Sequence, residues 1–452
     1  MTAPAPRLTG TSALAALADF GLPSLAAGVI ARRRRVVGLL DRMDADARGV
    51  RRLAELRQRF GCGPVVLDIP GRRVVVPLDP ADVSDILENS PYPFDPASWE
   101  KRHALQQFQP NAVLISRGDI RQRRRLVNEG ALDTGAELHG LAAAFQDIVN
   151  DEVARFLAEA SRSGGFDSAQ FITAWWRVAR RLVLGARARD DESVTDDLWR
   201  LRTAANWSFL SPQHARRRAR FFAQLYHYAE EPDPTSLLGA LAAVHTSGGV
   251  DPIGQVPHWL FAFDAAGMAA LRAAALLSSH PDALARAEIE DPDLVRVRPY
   301  LRACVLESVR LWPTTPAILR ELAAETTWHE GTDREVSVSP PGTVLIPLPA
   351  FHRDPELLPF ADEFTPAIWL DGRAKQHPQL VPFSAGPAVC PGRDLVLFVT
   401  SSLLAGVLSR VDLSLDKGGP LSPDQPMPAT LNQFALSFGV SATRAPQRAA
   451  SS

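Results

Sequence analysis

The chain has 452 residues, of which 46% are hydrophobic, and its 49 basic and 51 acidic residues leave a net charge of -2. A chain of this length buries roughly three-quarters of its unfolded surface, which excludes a disordered protein and a small disulfide-stapled domain. The near-neutral charge argues against a nucleic-acid-binding protein. Three distant cysteines without a C-x-x-C pair exclude a disulfide framework and a four-thiolate zinc site. We therefore expect a reduced, cytoplasmic protein.

The N-terminal region contains the segment that comes closest to a membrane span. Residues 13–31 are apolar, but a charge, a glycine and a proline interrupt them, and four arginines follow. This run is too short and too broken for a membrane-spanning helix, so no integral span is predicted. We expect residues 1–35 to form a loosely packed, helical N-terminal extension, and residues 36–452 to form a single domain.

The periodicity of apolar residues then predicts alternating blocks of helix and strand. Residues 36–60 have helical spacing, and residues 64–80 contain two valine-rich runs about a Pro-Gly-Arg-Arg turn, which predicts a hairpin. Residues 119–310 are almost wholly helical in pattern, residues 318–348 are rich in strand signals, and a last helix covers residues 392–409. The sequence therefore predicts a mainly α protein with small β-sheets, an α+β fold.

A single cysteine near the C-terminus carries the strongest chemical signal. Cys390 lies between Gly386 and Gly392, just before an apolar helix. Glycines let a backbone lie close against a flat group, and a helix N-terminus favours a thiolate. Such a thiolate is either a nucleophile or a metal ligand. No partner histidine is identifiable for a nucleophile, and further ligands at zinc spacing are absent, whereas a haem iron needs one axial thiolate.

The cysteine segment resembles the haem-binding loop of the cytochrome P-450 family, F-x-x-G-x-x-x-C-x-G, with Phe383, Gly386, Cys390 and Gly392 in register. This resemblance implies haem b as the cofactor and Cys390 as the axial ligand of its iron. It also implies the cytochrome P-450 fold of the bacterial soluble type. In that fold a triangular helical domain holds the haem between a long central helix and the helix that follows the cysteine loop.

A second signature lies about eighty residues upstream of the cysteine. Glu307 and Arg310 are three residues apart, so they share a helix face and can form a hydrogen-bonded ion pair. In isolation this would be an ordinary surface pair. The resemblance implies instead a buried structural pair, although Ile368 stands where the family has a third buried arginine, so the pair must find other partners.

The resemblance also implies which arginines bind the haem propionates. Residues 118–127 resemble the helix that carries one of these arginines, and the register places it at Arg124, with Arg125 as its neighbour. Arg121 is a further candidate on the same helix. Arg320 resembles the second propionate arginine of the family. A guanidinium suits a carboxylate because it offers two parallel donors.

The central helix departs from the family pattern at the positions that deliver protons to dioxygen. Ala266 and Gly267 match the pattern, but Ala269 and Ala270 occupy the positions of the acid and the alcohol. A methyl group cannot donate a proton or hold a water molecule. Asp264 lies about one turn before Gly267 and is either a replacement acid or a carboxylate with a local partner.

The resemblance implies a haem-thiolate monooxygenase that oxidises an apolar, bulky secondary metabolite with dioxygen and electrons from a ferredoxin and its reductase. Three routes remain open without the acid and the alcohol, and we favour protons from a hydroxyl of the substrate and water. The others are peroxide in place of dioxygen, and coupling or rearrangement in place of hydroxylation. A non-catalytic accessory protein is a further alternative. The predicted pocket residues are Phe94, Trp99, Phe108, Phe263, Ala266 and Ile318.

Overall fold

The computed structural model describes residues 3–209, 212–246, 248–287, 292–419 and 421–442. The α-helices of these residues are α1 (Gly10–Ala27), α2 (Arg34–Arg42), α3 (Ala47–Phe60), α4 (Pro80–Glu88), α5 (Trp99–Leu105), α6 (Gly118–Ala131), α7 (Ala142–Ser163), α8 (Ser168–Leu184), α9 (Glu192–Ala205), α10 (Ala215–Glu230), α11 (Leu237–Ala242), α12 (Val256–Ser279), α13 (Pro281–Ala287), α14 (Pro299–Leu311), α15 (Leu348–His352) and α16 (Arg393–Leu408). The strands are β1 (Ala3–Pro4), β2 (Arg7–Thr9), β3 (Val65–Ile69), β4 (Arg72–Val76), β5 (Phe94–Asp95), β6 (Gly165–Asp167), β7 (Ala317–Leu322), β8 (Thr326–Trp328), β9 (Val336–Val338), β10 (Thr343–Pro347), β11 (Val411–Lys417) and β12 (Ser437–Ala442).

The strands form three small sheets around a helical body. The largest has the order β2-β3-β4-β10-β7-β5, and the other two have the orders β1-β9-β8 and β11-β12-β6. The predicted hairpin is β3 and β4, which turn at Gly71, where φ is +76°. One apolar cluster fills the helical body and a second lies under the large sheet. This arrangement confirms the prediction of a mainly α protein with small sheets.

The N-terminal segment is attached to the rest of the protein. β1 pairs with β9 and β2 pairs with β3, both in parallel. Ala13, Ala16 and Phe20 form a buried stripe on α1, and Arg32 donates a hydrogen bond to the carbonyl of Thr314 at 3.1 Å. The strand pairs and the buried stripe tie the described part of residues 1–35 to the rest of the protein.

Helix α12 runs through the core and carries the residues that the sequence singled out for proton delivery. It packs against α8, α14 and α16, and most of its side chains are buried. Together with the turn before it, the segment Ile253–Ser279 is long and apolar enough to cross a membrane by length and composition. Of its apolar window, 78% is buried inside the protein. This burial is typical of a core helix.

Candidate active site

The cysteine loop is held by two helices, and its tightest point requires a glycine. Gly386 has a φ of +62°, and a Cβ at this position would lie 2.2 Å from the carbonyl oxygen of Leu87 in α4. Arg125 of α6 donates from Nη1 to the carbonyl oxygen of Val389 at 2.8 Å. These contacts fix the loop immediately before α16 begins at Arg393.

Cys390 is partly buried, and its residue keeps some accessible surface. Its N–H donates to the carbonyl oxygen of Phe383 at 3.0 Å. Burial raises the pKa of the Cys390 thiol, while the N–H of Gly392 and the charge of Arg125 act in the opposite direction. The loop therefore fixes the backbone of Cys390 just before α16 and leaves the residue partly accessible, as an axial metal ligand requires.

Three cations converge in the interior from three different elements. They are Lys101 of α5, Arg121 of α6 and Arg320 of β7. Burial lowers the pKa of each, that of Arg320 to about 10, and the positive charge of neighbouring groups lowers each further. Asp95 opposes these shifts, but it already forms an ion pair with Arg117 at 2.5 Å. The cluster therefore carries an excess of buried positive charge. A bound anion would neutralise this charge and stabilise the cluster.

The donors of this cluster fit the two carboxylates of haem b. Lys101 donates to the carbonyl oxygens of Pro96 and Leu319, both at 3.0 Å, which leaves its charge unneutralised. The Nε of Arg121 and the hydroxyl of Ser98 are buried and have no hydrogen-bond partner among the described residues. Buried donors of this kind are stable only when an anion or a water satisfies them. Lys101 was missed by the sequence analysis, although it is one of only three lysines in the chain.

Arg124 lies apart from this cluster, contrary to its predicted place as the main propionate ligand. Its guanidinium donates to the hydroxyl of Ser116 at 2.7 Å and to the side-chain oxygen of Asn111 at 3.0 Å. Polar side chains of the preceding connection thus bind its two terminal nitrogens, while its Nε is buried and has no partner among the described residues. Arg121, one turn earlier on α6, faces Arg320 and Lys101 instead.

Gly267 of the central helix faces α8. A Cβ at Gly267 would lie 2.5 Å from the ring of Trp175, so only glycine fits. The indole N–H of Trp175 donates to the carbonyl oxygen of Phe263 at 2.6 Å, and the two rings lie 6.0 Å apart. Phe263 therefore packs in the core beside Trp175, and its role as a pocket residue stays a prediction. Phe261, two positions earlier, is partly accessible and packs edge to face on Phe108.

The positions of the missing acid and alcohol are buried and apolar. Ala269 and Ala270 are both at most 3% exposed. The hydroxyl of Ser308 on α14 donates to the carbonyl oxygen of Ala269 at 3.0 Å and to that of Val305 at 2.8 Å. The hydrogen of this hydroxyl is thus used in contacts with backbone carbonyl oxygens of α12 and α14. No described contact places it where it could replace the absent alcohol.

Asp264 has a local partner. Its carboxylate accepts a hydrogen bond from Nη2 of Arg202, on α9, at 2.6 Å. The same Arg202 nitrogen also donates to the carbonyl oxygen of Ile30 at 2.7 Å. At 100° per residue, Asp264 points about 160° away from Ala266 around the helix. The structure therefore favours the local-partner alternative over the replacement acid.

Three predicted pocket residues lie elsewhere in the fold. Trp99 is 39% exposed and stacks on Phe209, with ring centroids 4.9 Å apart. Phe94 and Ile318 belong to the apolar cluster under the large sheet, because β5 and β7 pair there. Their aromatic and branched side chains stabilise the sheet. The predicted pocket residues that belong to the helical core around α12 are Phe108, Phe263 and Ala266.

Glu307 and Arg310 form the buried pair that the resemblance implied. Both side chains are fully buried, and the guanidinium binds the carboxylate through two hydrogen bonds of 2.7 and 2.9 Å. The carboxylate also accepts from the backbone N–H of Thr365 at 3.0 Å and from the indole N–H of Trp369 at 2.8 Å. Trp369 thus supplies a donor beside Ile368. The remaining donors of Arg310 bind the carbonyl oxygens of His352, Phe360, Ala361 and Glu363.

The fold and the cysteine loop are typical of haem-thiolate proteins, and comparison with known proteins shows which family part of the chain matches. Residues 283–436 match the family model described as cytochrome P-450. The chain is 35% identical over 148 residues to cyclooctat-9-en-7-ol 5-monooxygenase of Streptomyces melanosporofaciens. It is 32% identical over 152 residues to cytochrome P-450 71A18 of Arabidopsis thaliana. These alignments cover 30% and 33% of this chain, and 31% and 29% of the two relatives.

Solved structures extend the likeness of the fold to almost the whole chain. A cytochrome P-450 named CYP102L1 superposes with a TM-score of 0.72 at 18% identity, and the match covers 98% of this chain and 100% of that one. Retinoic-acid-bound cyanobacterial CYP120A1 gives 0.67 at 19% identity, over 86% and 94% of the two chains. The chain thus has the cytochrome P-450 fold, and its residues 283–436 match the model of that family, whose cofactor is haem b.

Proposed function

We propose that this protein is a monooxygenase that uses haem b, ligated by Cys390, to oxidise a small, apolar, bulky secondary metabolite. The observation that carries the proposal is the cysteine loop, which Gly386 and Arg125 fix just before α16 and in which Cys390 stays partly accessible. The bound haem would supply the activation of dioxygen, and a thiolate ligand favours cleavage of the O–O bond. One relative is named a monooxygenase, which supports this reaction class.

Several residues of the chain would hold and orient the cofactor. Lys101, Arg121 and Arg320 supply cations for its two carboxylates. Arg125 orients the cysteine loop through the carbonyl of Val389. We assign these to binding and positioning.

Proton supply in this protein depends on groups other than the usual acid and alcohol. Ala269 and Ala270 cannot hold a proton, and Arg202 holds the carboxylate of Asp264. We therefore favour protons from a hydroxyl of the substrate and from water. Peroxide in place of dioxygen, or coupling and rearrangement in place of hydroxylation, are the alternatives that the same two alanines support. The variant Ala270→Thr should change the share of electrons lost to peroxide, and unchanged coupling would contradict a role for this position.

Electrons would come from a ferredoxin and ferredoxin reductase in the cytoplasm. Arg393, directly after the cysteine loop, is exposed and offers a positive charge to an acidic partner. Arg121, which has the same sign, is buried and belongs to the interior cluster.

The ligand assignment is tested by the spectrum of the reduced, carbon-monoxide-bound protein. Wild-type protein loaded with haem should show the Soret band that is diagnostic of a thiolate ligand. Cys390→His should lose this band, whereas Cys62→Ser, which changes a partly exposed cysteine elsewhere, should keep it. Loss of the band in both variants, or its absence from the wild type, would contradict the proposal. A wild type with the band but without oxidation products would favour the accessory protein.

A further inference from the structure

Two polar side chains meet at the N-terminal end of α12, inside an apolar region. Gln109, on the connection before α6, is fully buried, and its side-chain oxygen lies 3.1 Å from Nδ1 of His258. The amide nitrogen of Gln109 has no hydrogen-bond partner among the described residues. The Nε2 atom of His258 likewise makes no hydrogen bond to any described residue. Phe108 and Phe261 flank the pair with their aromatic rings.

The pair leaves one donor and one acceptor free, whichever way its hydrogen bond runs. If Nδ1 of His258 donates to Gln109, then Nε2 of the histidine is an acceptor and the amide N–H of Gln109 is the free donor. If the amide is turned over and donates to Nδ1, then Nε2–H is the donor and the amide oxygen is the free acceptor. A hydroxyl group satisfies both, because it donates one hydrogen bond and accepts another. A carbonyl or an ether satisfies only one.

The site is neutral. Burial lowers the pKa of His258 to about 4, so the ring carries no charge near neutral pH. The guanidinium of Arg202 lies 4.7 Å from the ring of Phe261 and is paired with Asp264. A carboxylate would bring a charge beside a neutral imidazole and a neutral amide, whereas a hydroxyl would not. The electrostatics therefore favour a neutral polar group.

The backbone that carries Gln109 is fixed before any ligand arrives. Gln255, just before α12, donates to the carbonyl oxygen of Asn111 at 2.9 Å and accepts from Asn128 at 3.1 Å. The side-chain oxygen of Asn128 accepts from the indole N–H of Trp259 at 2.7 Å. This buried network ties the connection to both α6 and α12, so the free donor and acceptor are preorganised.

The site lies on α12, the helix that the proposed function takes as one wall of the substrate space. His258 is partly accessible, as are Ala262 and Ala265 one and two turns later on the same side of the helix. Eight positions separate His258 from Ala266, about 12 Å along the helix axis at 1.5 Å per residue. A group bound at His258 therefore sits about two turns away from the position that faces the reaction.

We infer that Gln109 and His258 bind a hydroxyl group of the substrate, which the structure thus assigns to the apolar alcohols. The inference rests on the proposed function, since it takes α12 as one wall of the substrate space. The hydroxyl is held some 12 Å from Ala266, so it positions the substrate and sets which carbon is oxidised. Protons for dioxygen then come from water or from a second polar group of the substrate.

The test compares matched ligands on the haem-loaded, full-length wild type. Decan-1-ol, decane, 1-methoxydecane and decanoate are titrated, and the spin-state shift of the ferric Soret band gives each dissociation constant. Decan-1-ol should bind about tenfold or more tightly than decane, because decane leaves a buried donor and acceptor unpaired. The ether, which accepts but cannot donate, should fall between them, and decanoate should bind more weakly than the alcohol. Equal affinities for alcohol and alkane, an ether equal to the alcohol, or a tighter carboxylate would each overturn the inference.

Variants then locate the effect. Gln109→Leu and His258→Phe should each reduce the preference for decan-1-ol over decane to nearly onefold while the affinity for decane stays similar. Gln106→Leu, on the same connection but only partly buried, should keep the wild-type preference. If one variant fails to fold, the other and the wild-type ligand series still decide. A wild type with the thiolate band but without the alcohol preference overturns this inference alone, whereas a missing thiolate band overturns the proposed function.

Discussion

Two buried arginines in this protein have opposite surroundings. Arg310 is fully buried, and its donors bind a carboxylate and four carbonyl oxygens of the protein. Arg121 is 9% exposed, has an unpartnered Nε, and lies near Lys101 and Arg320 rather than near a free carboxylate. A buried charge without partners costs free energy, whereas one with partners fixes the elements around it. The Glu307–Arg310 pair therefore stabilises the fold, whereas the cluster of Lys101, Arg121 and Arg320 is suited to bind an anionic ligand.

The free energy of unfolding should be most sensitive to a single substitution in the Glu307–Arg310 pair. Glu307→Gln leaves the charge of Arg310 buried and unpaired, so we expect it to lower the free energy of unfolding by about 3–5 kcal/mol. Glu55→Gln is the matched control, because Glu55 pairs with Arg52 at the same helical spacing but is 59% exposed. The control should change stability by less than about 0.5 kcal/mol. Urea unfolding of both variants measures the difference, and equal effects would contradict the contrast.

A histidine beside Arg310 should make stability depend on pH. Burial, aided by the charge of Arg310, lowers the pKa of His352 to about 3 in the folded protein. The unfolded chain takes up a proton below about pH 6.5, so this contribution to stability is complete above that pH and is lost as the pH falls through it. At pH 5 the loss should be about 2 kcal/mol relative to pH 7.5. His352→Asn should remove this part of the dependence in urea unfolding, and the exposed His227→Asn should not; the same profile in all three proteins would refute the prediction.

The indole of Trp369 should contribute a smaller, separable share to the same site. Trp369→Phe keeps the ring but deletes the donor to Glu307, so we expect a loss of about 1–2 kcal/mol. Trp207→Phe, at a ring that is 52% exposed, serves as the control and should be near neutral. In the background of Glu307→Gln the effect of Trp369→Phe should shrink, because the carboxylate that it served is gone. Additive losses in the double variant would show that the two side chains act independently.

In the cluster of Lys101, Arg121 and Arg320, loss of a charged side chain should leave the stability of the apoprotein nearly unchanged and weaken haem binding. Lys101→Met removes one cation from the buried cluster, so the unfolding free energy of the haem-free protein should change by no more than about 1 kcal/mol, toward higher stability. The affinity for haem should nevertheless fall about tenfold, because a charge-assisted contact to a carboxylate is lost. Transfer of haem to an acceptor protein measures that affinity. A destabilised apoprotein with unchanged haem transfer would place Lys101 with the structural residues.

The sequence was informative wherever the chemistry depends on a local motif. The cysteine loop and the Glu307–Arg310 pair are set by spacings of a few residues, and the structure places each as the resemblance implied. The mainly α fold followed from periodicity.

The sequence did not predict which way a side chain points around its helix, or which residues outside the helix bind it. Arg124 and Arg121 differ by one turn, and the sequence does not reveal that the side chains at positions 111 and 116 bind the terminal nitrogens of Arg124. Phe261 and Phe263 differ by 200° around α12, so a register error of two positions moves a ring from the accessible face to the core. Residues from elsewhere in the chain settle both cases.

The contact between Gly267 and Trp175 has a consequence for how sequences of this kind can diverge. The indole ring occupies the space that any larger side chain at 267 would need, and it also holds the carbonyl of Phe263. A substitution at 267 is therefore tolerated only after the ring at 175 has become smaller. Related chains should carry either the glycine with a tryptophan or a larger residue with a reduced partner, so the two positions should be inherited as one unit.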